Sequence, residues 1–294
     1  MKFSRLMLGT VQFGLNYGIA NRDGKPSEAK IREIILTAWE NGVNCLDTAA
    51  GYGDSEVVVG NALSELGLKE KMQIISKVPG VGDRTPAEAE AFIVGSIEES
   101  LRRLGVDRLD GCLFHRETDY RYLDELQKLV QRGLIGTAGI SLDTNHYCRN
   151  TVDAGIRYVQ IPCNVLDYRF EDFLNTAMSQ NITVFARSVY LQGLLLMPES
   201  EIIPSLQDVI PVRRQLAKIA HEAGMELAEL CMRYVLSLPA VTSILTGVDT
   251  VDQLRQNLNL FSRGALPEDL CRAIRNTVPR LSEKVIRPAL WTKS

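Results

Sequence analysis

Apolar residues fall along this chain in two alternating kinds of run. Short runs that are apolar nearly throughout lie at 6–10, 43–47, 73–77, 109–114, 136–141, 158–162, 182–186 and 241–246. Between them apolar positions recur at three- and four-residue spacing, the period of a helix with one buried stripe. After Ser27 the stripe is Ile31, Ile34, Ile35, Ala38 and Trp39, and Asn41-Gly42 stops it. After Thr85 it is Phe92, Ile93, Ile97, Leu101 and Leu104, with Pro86 at the first helical position and Glu88 completing a capping box. Opposite that stripe, Glu98–Arg102 and Glu99–Arg103 stand at i,i+4 as solvated pairs. Further helical stretches are expected at 57–66, 120–132, 144–153, 170–179, 212–222, 227–238, 251–261 and 267–276. A Gly-rich loop at 13–24 and a long apolar loop at 190–204 connect the rest.

Strands that are apolar on both faces are covered on both faces, which is the pattern of parallel strands joined by crossover helices. Eight such units in 294 residues predict one closed (β/α)8 barrel, an α/β TIM barrel over 1–294 with extra helices near the C-terminus. An open doubly wound sheet loses its main support, because no G-x-G-x-x-G follows the first strand.

Composition narrows the partners. Net charge is −3 with no basic run, which argues against nucleic acid and against an acidic membrane. No apolar run approaches the ~18 residues of a membrane span, and the N-terminus lacks a signal-peptide core. The six cysteines have no C-x-x-C spacing and read as buried hydrophobes of a reducing, cytoplasmic protein. His146 and His221 show no ligand spacing, and no metal site is expected. Oligomeric state is not legible.

The chemistry gathers at strand exits, where barrels keep their active sites. Asp47-Thr48-Ala49-Ala50-Gly51-Tyr52-Gly53-Asp54-Ser55-Glu56 reads as a strand end, a glycine-rich turn and a helix start. Asp47 and Tyr52 can share one cleft there, and the next two strands end in Lys77 and His115. Ser141, Gln160 and Arg187 end strands five, six and seven. A phenol is a poor acid near neutrality. An ammonium ~4 Å away could stabilise its anion by up to about 4 kcal/mol at an effective dielectric of ~20. Asp47 would keep Lys77 charged, and His115 could hold a carbonyl oxygen. Such a set donates a proton to an oxygen becoming an alkoxide, while the hydride must come from a cofactor. Each residue has a bland reading alone, as helix cap, packing group, solvated amine or core histidine; the case rests on their being together.

These residues carry a family resemblance nearly end to end. Leu8-Gly9-Thr10, then Asp47-Thr48-Ala49 with Tyr52-Gly53 and Ser55-Glu56, Ser76-Lys77, His115, Gln160-Ile161-Pro162 with Asn164, Gly193-Leu194-Leu195, and Gly247 to Asn257 resemble the aldo-keto reductase pattern. The resemblance implies a barrel binding NADP(H) or NAD(H) without a Rossmann unit. Tyr52 would be the general acid, Lys77 and Asp47 its tuning pair, and His115 the carbonyl-orienting group. Ser141 and Gln160 would hold the carboxamide, with Thr10, Arg187, Ser188, Gly247, Gln253 and Asn257 along the cofactor.

The chain departs from the pattern at Leu142, where asparagine is usual, at Cys163 in a tyrosine's place, and at Arg187, where the ring under the nicotinamide is usually aromatic. Gly247 and Gln253 stand where many members carry bases for a 2′-phosphate, with Asp249 near. Family habit still ranks NADP(H) ahead of NAD(H). The expected substrate is a small aldehyde, ketone or sugar, and the polar loop with Asn16, Tyr17 and Asn21 suits hydroxyl groups. The alternative is a cofactor-binding sensor or regulatory subunit with little turnover. A Schiff-base lyase using Lys77 fits less well, because Asp47 would keep its amine protonated.

Overall fold

The structure, a computed structural model, describes residues 2–21 and 24–291. Eight parallel strands pair in chain order and close with β8 on β1. They are β1 Leu6–Gly9, β2 Cys45–Asp47, β3 Gln73–Val78, β4 Gly111–Phe114, β5 Ala138–Ser141, β6 Tyr158–Pro162, β7 Thr183–Arg187 and β8 Val241–Gly247. Around them run α1 Val11–Gly14, α2 Glu28–Glu40, α3 Ser55–Leu66, α4 Pro86–Leu104, α5 Leu123–Gln131, α6 Cys148–Asp153, α7 Glu171–Ser179, α8 Val209–Glu222, α9 Leu227–Leu236, α10 Val251–Ser262, α11 Glu268–Thr277 and α12 Glu283–Ile286.

The expected helix signals act as local chemistry requires. Ser27 accepts from the Lys30 amide to cap α2. Thr85 and Glu88 form the reciprocal box on α4, whose buried face includes Ile93, Ile97, Leu101 and Leu104. Phe92 and Trp39 are only partly buried against the core. On the outer face of α4 the expected Glu99–Arg103 pair forms, whereas Glu98–Arg102 does not. Glu99 takes both Arg102 and Arg103, and Glu98 reaches Arg132 across to the neighbouring helix. Strands β1, β2, β4 and β5 are shorter than their apolar runs, and Leu109 only bridges Ile135 before β4 and β5 begin. The loop expected at 13–24 starts inside α1, and its residues 22 and 23 lie outside the described residues.

Inside the barrel Met7, Cys45, Ile75, Leu113, Phe185 and Leu245 pack as one layer. Phe3 closes the N-terminal end, edge-on to Tyr158 at 5.6 Å and to Phe185 at 5.3 Å. Gly139 is needed in β5 because a Cβ there would run into the Leu113 side chain and the Tyr158 backbone. Side chains alternate along a strand, so residues two further on face the same interior nearer the C-terminal mouth. Two steps beyond Cys45, Ile75, Leu113, Tyr158 and Phe185 stand Asp47, Lys77, His115, Gln160 and Arg187. The apolar layer thus becomes a polar one within a single strand period. Among the described residues no helix is long and apolar enough to cross a membrane.

Candidate active site

The turn after β2 is held from below and behind. Thr10 donates from its amide and its hydroxyl to the Asp47 carbonyl, both at 3.0 Å. Ser55, the first residue of α3, donates to the Thr10 carbonyl or hydroxyl at 2.8 Å and meets Thr48 Oγ1 at 3.2 Å. Glu56 is buried, accepts from Ser76 at 2.6 Å and lies 3.5 Å from Arg103. Gly14 packs flat on the turn, and a Cβ there would collide with the Tyr52 carbonyl and the Ser55 amide. Gly53 takes φ +60 and presses on the Gly14 carbonyl. The Ser55-Glu56 pair therefore anchors the turn that carries Tyr52.

On that anchored turn the four expected side chains converge. Lys77 is 1% exposed and its Nζ donates to both Asp47 oxygens, at 2.8 and 2.7 Å, and to the Thr48 carbonyl at 2.9 Å. The same amine lies 3.2 Å from the Tyr52 hydroxyl. Burial alone would lower the lysine pKa, but the Asp47 carboxylate and the Tyr52 phenol outweigh it and hold the ammonium above its ordinary value. His115 meets the Tyr52 ring edge to face, centroids 5.5 Å apart. Burial, then Lys77, Arg187 and Arg116, push the imidazole down to about 3. His115 is therefore neutral near pH 7 and not a cation.

A cleft of about 400 Å³ opens over Asp47 and Tyr52 and runs to the turn after β8. Of the expected cofactor residues, Thr10, Gln160, Arg187, Ser188, Gly247 and Gln253 line it; Ser141 and Asn257 lie outside the lining. Ser141 is 6% exposed, and Asn257 accepts from the Tyr190 hydroxyl at 3.3 Å. Two of these residues also make bonds within the protein. The Thr10 hydroxyl is bonded within the turn, and the Gln160 Nε2 donates one proton to Asp47 Oδ1 at 2.8 Å, leaving its second N–H and its oxygen for a ligand. Leu142 contributes its backbone, since its carbonyl accepts from Arg187 Nη2 at 3.1 Å.

Several cleft features were not legible in the chain. Gln12 Oε1 and Thr246 Oγ1 are buried without a protein partner, and Gly247 leaves room for the Gln12 side chain. Unpartnered polar atoms beside glycine edges suit a polar, extended ligand, so the residues present fit a dinucleotide. Gln192 donates to the Tyr17 hydroxyl at 3.0 Å, and Asn21 donates to Asp249 at 3.0 Å, so the loop after β1 spans the cleft. Ser188, Leu191 and Gln192 all take positive φ without being glycine, at +65, +49 and +53. Strain of that kind, about 1–3 kcal/mol per residue, is usually retained at binding sites. Among the described residues no cluster of His, Cys, Asp and Glu could hold a metal, and the six cysteines are free thiols.

Comparison with known proteins gives the class. The model of the aldo/keto reductase family matches residues 5–278. The chain belongs to that family and is an NAD(P)-dependent oxidoreductase acting between carbonyl and alcohol. An uncharacterized oxidoreductase of Bacillus subtilis is 28% identical over 273 residues, covering 84% of this chain and 87% of the relative. L-galactose dehydrogenase of Arabidopsis thaliana is 27% identical over 280 residues, covering 88% and 84%. Among solved structures, the holo form of an aldo-keto reductase from Bacillus halodurans superposes with TM-score 0.80 at 24% identity, covering 96% of this chain and 95% of that one.

Proposed function

We propose that this protein interconverts a small aldehyde, ketone or sugar carbonyl and its alcohol, with Tyr52 giving and taking the proton. The observation that carries this reading is the single amine of Lys77 placed between Asp47 and the Tyr52 hydroxyl. The nicotinamide cofactor supplies or accepts the hydride when bound. Tyr52 then releases its proton toward the carbonyl oxygen, and Lys77 stabilises the negative charge left on the phenol oxygen. Asp47 keeps Lys77 charged in a site too buried for water to do so. Neutral His115, packed against the Tyr52 ring, would donate to the same carbonyl oxygen and fix its position.

The cofactor reading also shifts. Among the described lining residues, the outer end of the cleft carries one charged side chain, the carboxylate of Asp249, beside Asn21 and Gln253. Among the described lining residues that end offers no cation for a 2′-phosphate, while Asn21 and Gln253 can meet a 2′-hydroxyl, and on that ground NAD(H) is ranked above NADP(H), reversing the order that family habit suggested. Two sugar dehydrogenases among the relatives, L-galactose dehydrogenase and the D-arabinose 1-dehydrogenase of Saccharomyces cerevisiae, support a sugar as substrate.

Steady-state assays with NADH and NADPH against small aldehydes and aldoses, and with NAD+ and NADP+ against sugars, test the proposal. Turnover with at least one carbonyl or sugar is expected. Tight cofactor binding with no turnover on the whole panel would replace it with the sensor reading.

A further inference from the structure

Arg187 is the sole cation among the described residues that line the cleft, and it stands in the same wall as Asp47, Tyr52 and Gln160. Its position is built. Nη2 donates to the Leu142 carbonyl at 3.1 Å and to Asp143 Oδ1 at 3.2 Å. The Asp143 carboxylate is shared, because its other oxygen accepts from Arg287 Nε at 3.0 Å. Glu117 holds the backbone of that corner by accepting from the amides of Asp143 and Thr144 at 2.7 and 2.8 Å. Behind Arg287 the chain of charges continues to Glu283 and Arg169. The network alternates in sign and turns its positive end toward the cleft.

Of the other charges near the reactive end, Asp47 and Lys77 form a closed pair, His115 is neutral near pH 7, and Arg116 acts on His115 without lining the cleft. The cation that faces the cleft there is Arg187. A nicotinamide ring carries one positive charge when oxidised and none when reduced. A fixed cation close to it penalises the oxidised form and leaves the reduced form almost untouched.

We propose that Arg187, held by Asp143 and Arg287, sets the redox-state preference of this site, so that the reduced cofactor binds tighter than the oxidised one. The bound couple then becomes a stronger hydride acceptor, and the equilibrium on the enzyme tilts toward alcohol oxidation. This inference rests on the proposed function, since it requires a nicotinamide in the cleft.

Dissociation constants for NAD+ and NADH, and for NADP+ and NADPH, measured by calorimetry on the full-length protein, test it without turnover. The wild-type ratio of oxidised to reduced constants is expected to be about tenfold or more, which is ~30 mV for a two-electron couple. Arg187→Met should bring the ratio down by about tenfold, and Asp143→Asn should raise it, because removing the carboxylate leaves the guanidinium unscreened. Opposite movements in the two variants exclude a general loss of fold as the cause. A ratio that stays put in both, or moves the same way in both, overturns the proposal alone. Absence of binding for both redox forms in the wild type overturns the oxidoreductase reading and this inference with it.

Discussion

Gln160 donates from its side-chain nitrogen to Asp47 Oδ1 at 2.8 Å across the barrel mouth, joining two residues 113 positions apart. With Lys77 on both carboxylate oxygens, this fixes the carboxylate that keeps the ammonium charged. Gln160→Leu leaves one lone-pair direction of a buried carboxylate unsatisfied, a cost of about 1–3 kcal/mol. Denaturant unfolding should show that loss, and kcat should fall by about tenfold as Lys77 loses its fixed partner. An unchanged kcat would return Gln160 to the purely cofactor-holding role read from the sequence.

Lys77 and Asp47 are almost wholly buried, with side-chain exposures of 0% and 3%. Removing one partner of such a pair strands the other, at about 3–5 kcal/mol. Lys77→Met should therefore be strongly destabilised, while Lys77→Met with Asp47→Asn should regain most of the stability and none of the activity. Thermal unfolding and initial rates on the three proteins separate the structural role of the pair from its chemical one.

His115 makes stability depend on pH with a definite sign. Its folded pKa is about 3, against an ordinary 6.5, so the unfolded chain binds the extra proton first. Stability then rises with pH between these values and falls as pH drops below about 6.5. From this group the protein should be about 2 kcal/mol less stable at pH 5 than at pH 7. His115→Asn should flatten that part of the curve in urea titrations across pH 5–7. No acid limb near pH 6.5 in the rate profile should trace to this imidazole.

Gly14 and Gly95 give a matched contrast. A Cβ on Gly14 would strike the Tyr52 carbonyl and the Ser55 amide, whereas Gly95, on the outer face of α4, has nothing within 4 Å. Gly14→Ala should cost stability and displace the turn that carries Tyr52, with kcat down by about 10²-fold, the scale of a ~1 Å misplacement. Gly95→Ala should be neutral in rate and stabilise by roughly 0.5–1 kcal/mol.

The barrel and the reactive quartet were legible because both rest on local periodicity. Wholly apolar runs mark strands covered on two faces, and strand ends mark the mouth, so Asp47, Lys77 and His115 could be placed on neighbouring strands without coordinates. Contacts between residues far apart in the chain were not legible. Arg287 and Asp143 lie 144 positions apart, and nothing in either neighbourhood announces the other. Gln160 was given a ligand by the family resemblance, and strand-exit polarity does not say that the same side chain also bonds a neighbouring carboxylate. Gly14 looked like one glycine of a loop, and only the packing of α1 on the Tyr52 turn shows why no larger residue fits. Asn257 was placed by family analogy alone and Ser141 by analogy and its strand exit, and the cleft is lined without them.

The central claim is that the Tyr52 hydroxyl, 3.2 Å from the Lys77 amine, is the proton donor. Tyr52→Phe removes one oxygen and keeps the ring that meets His115. With a reducible aldehyde or aldose and saturating cofactor, kcat should fall by about 10²–10⁴-fold, while the cofactor dissociation constant measured on the same preparation changes by less than about threefold. Retention of wild-type kcat in Tyr52→Phe would contradict the account, since the proton would then come from elsewhere.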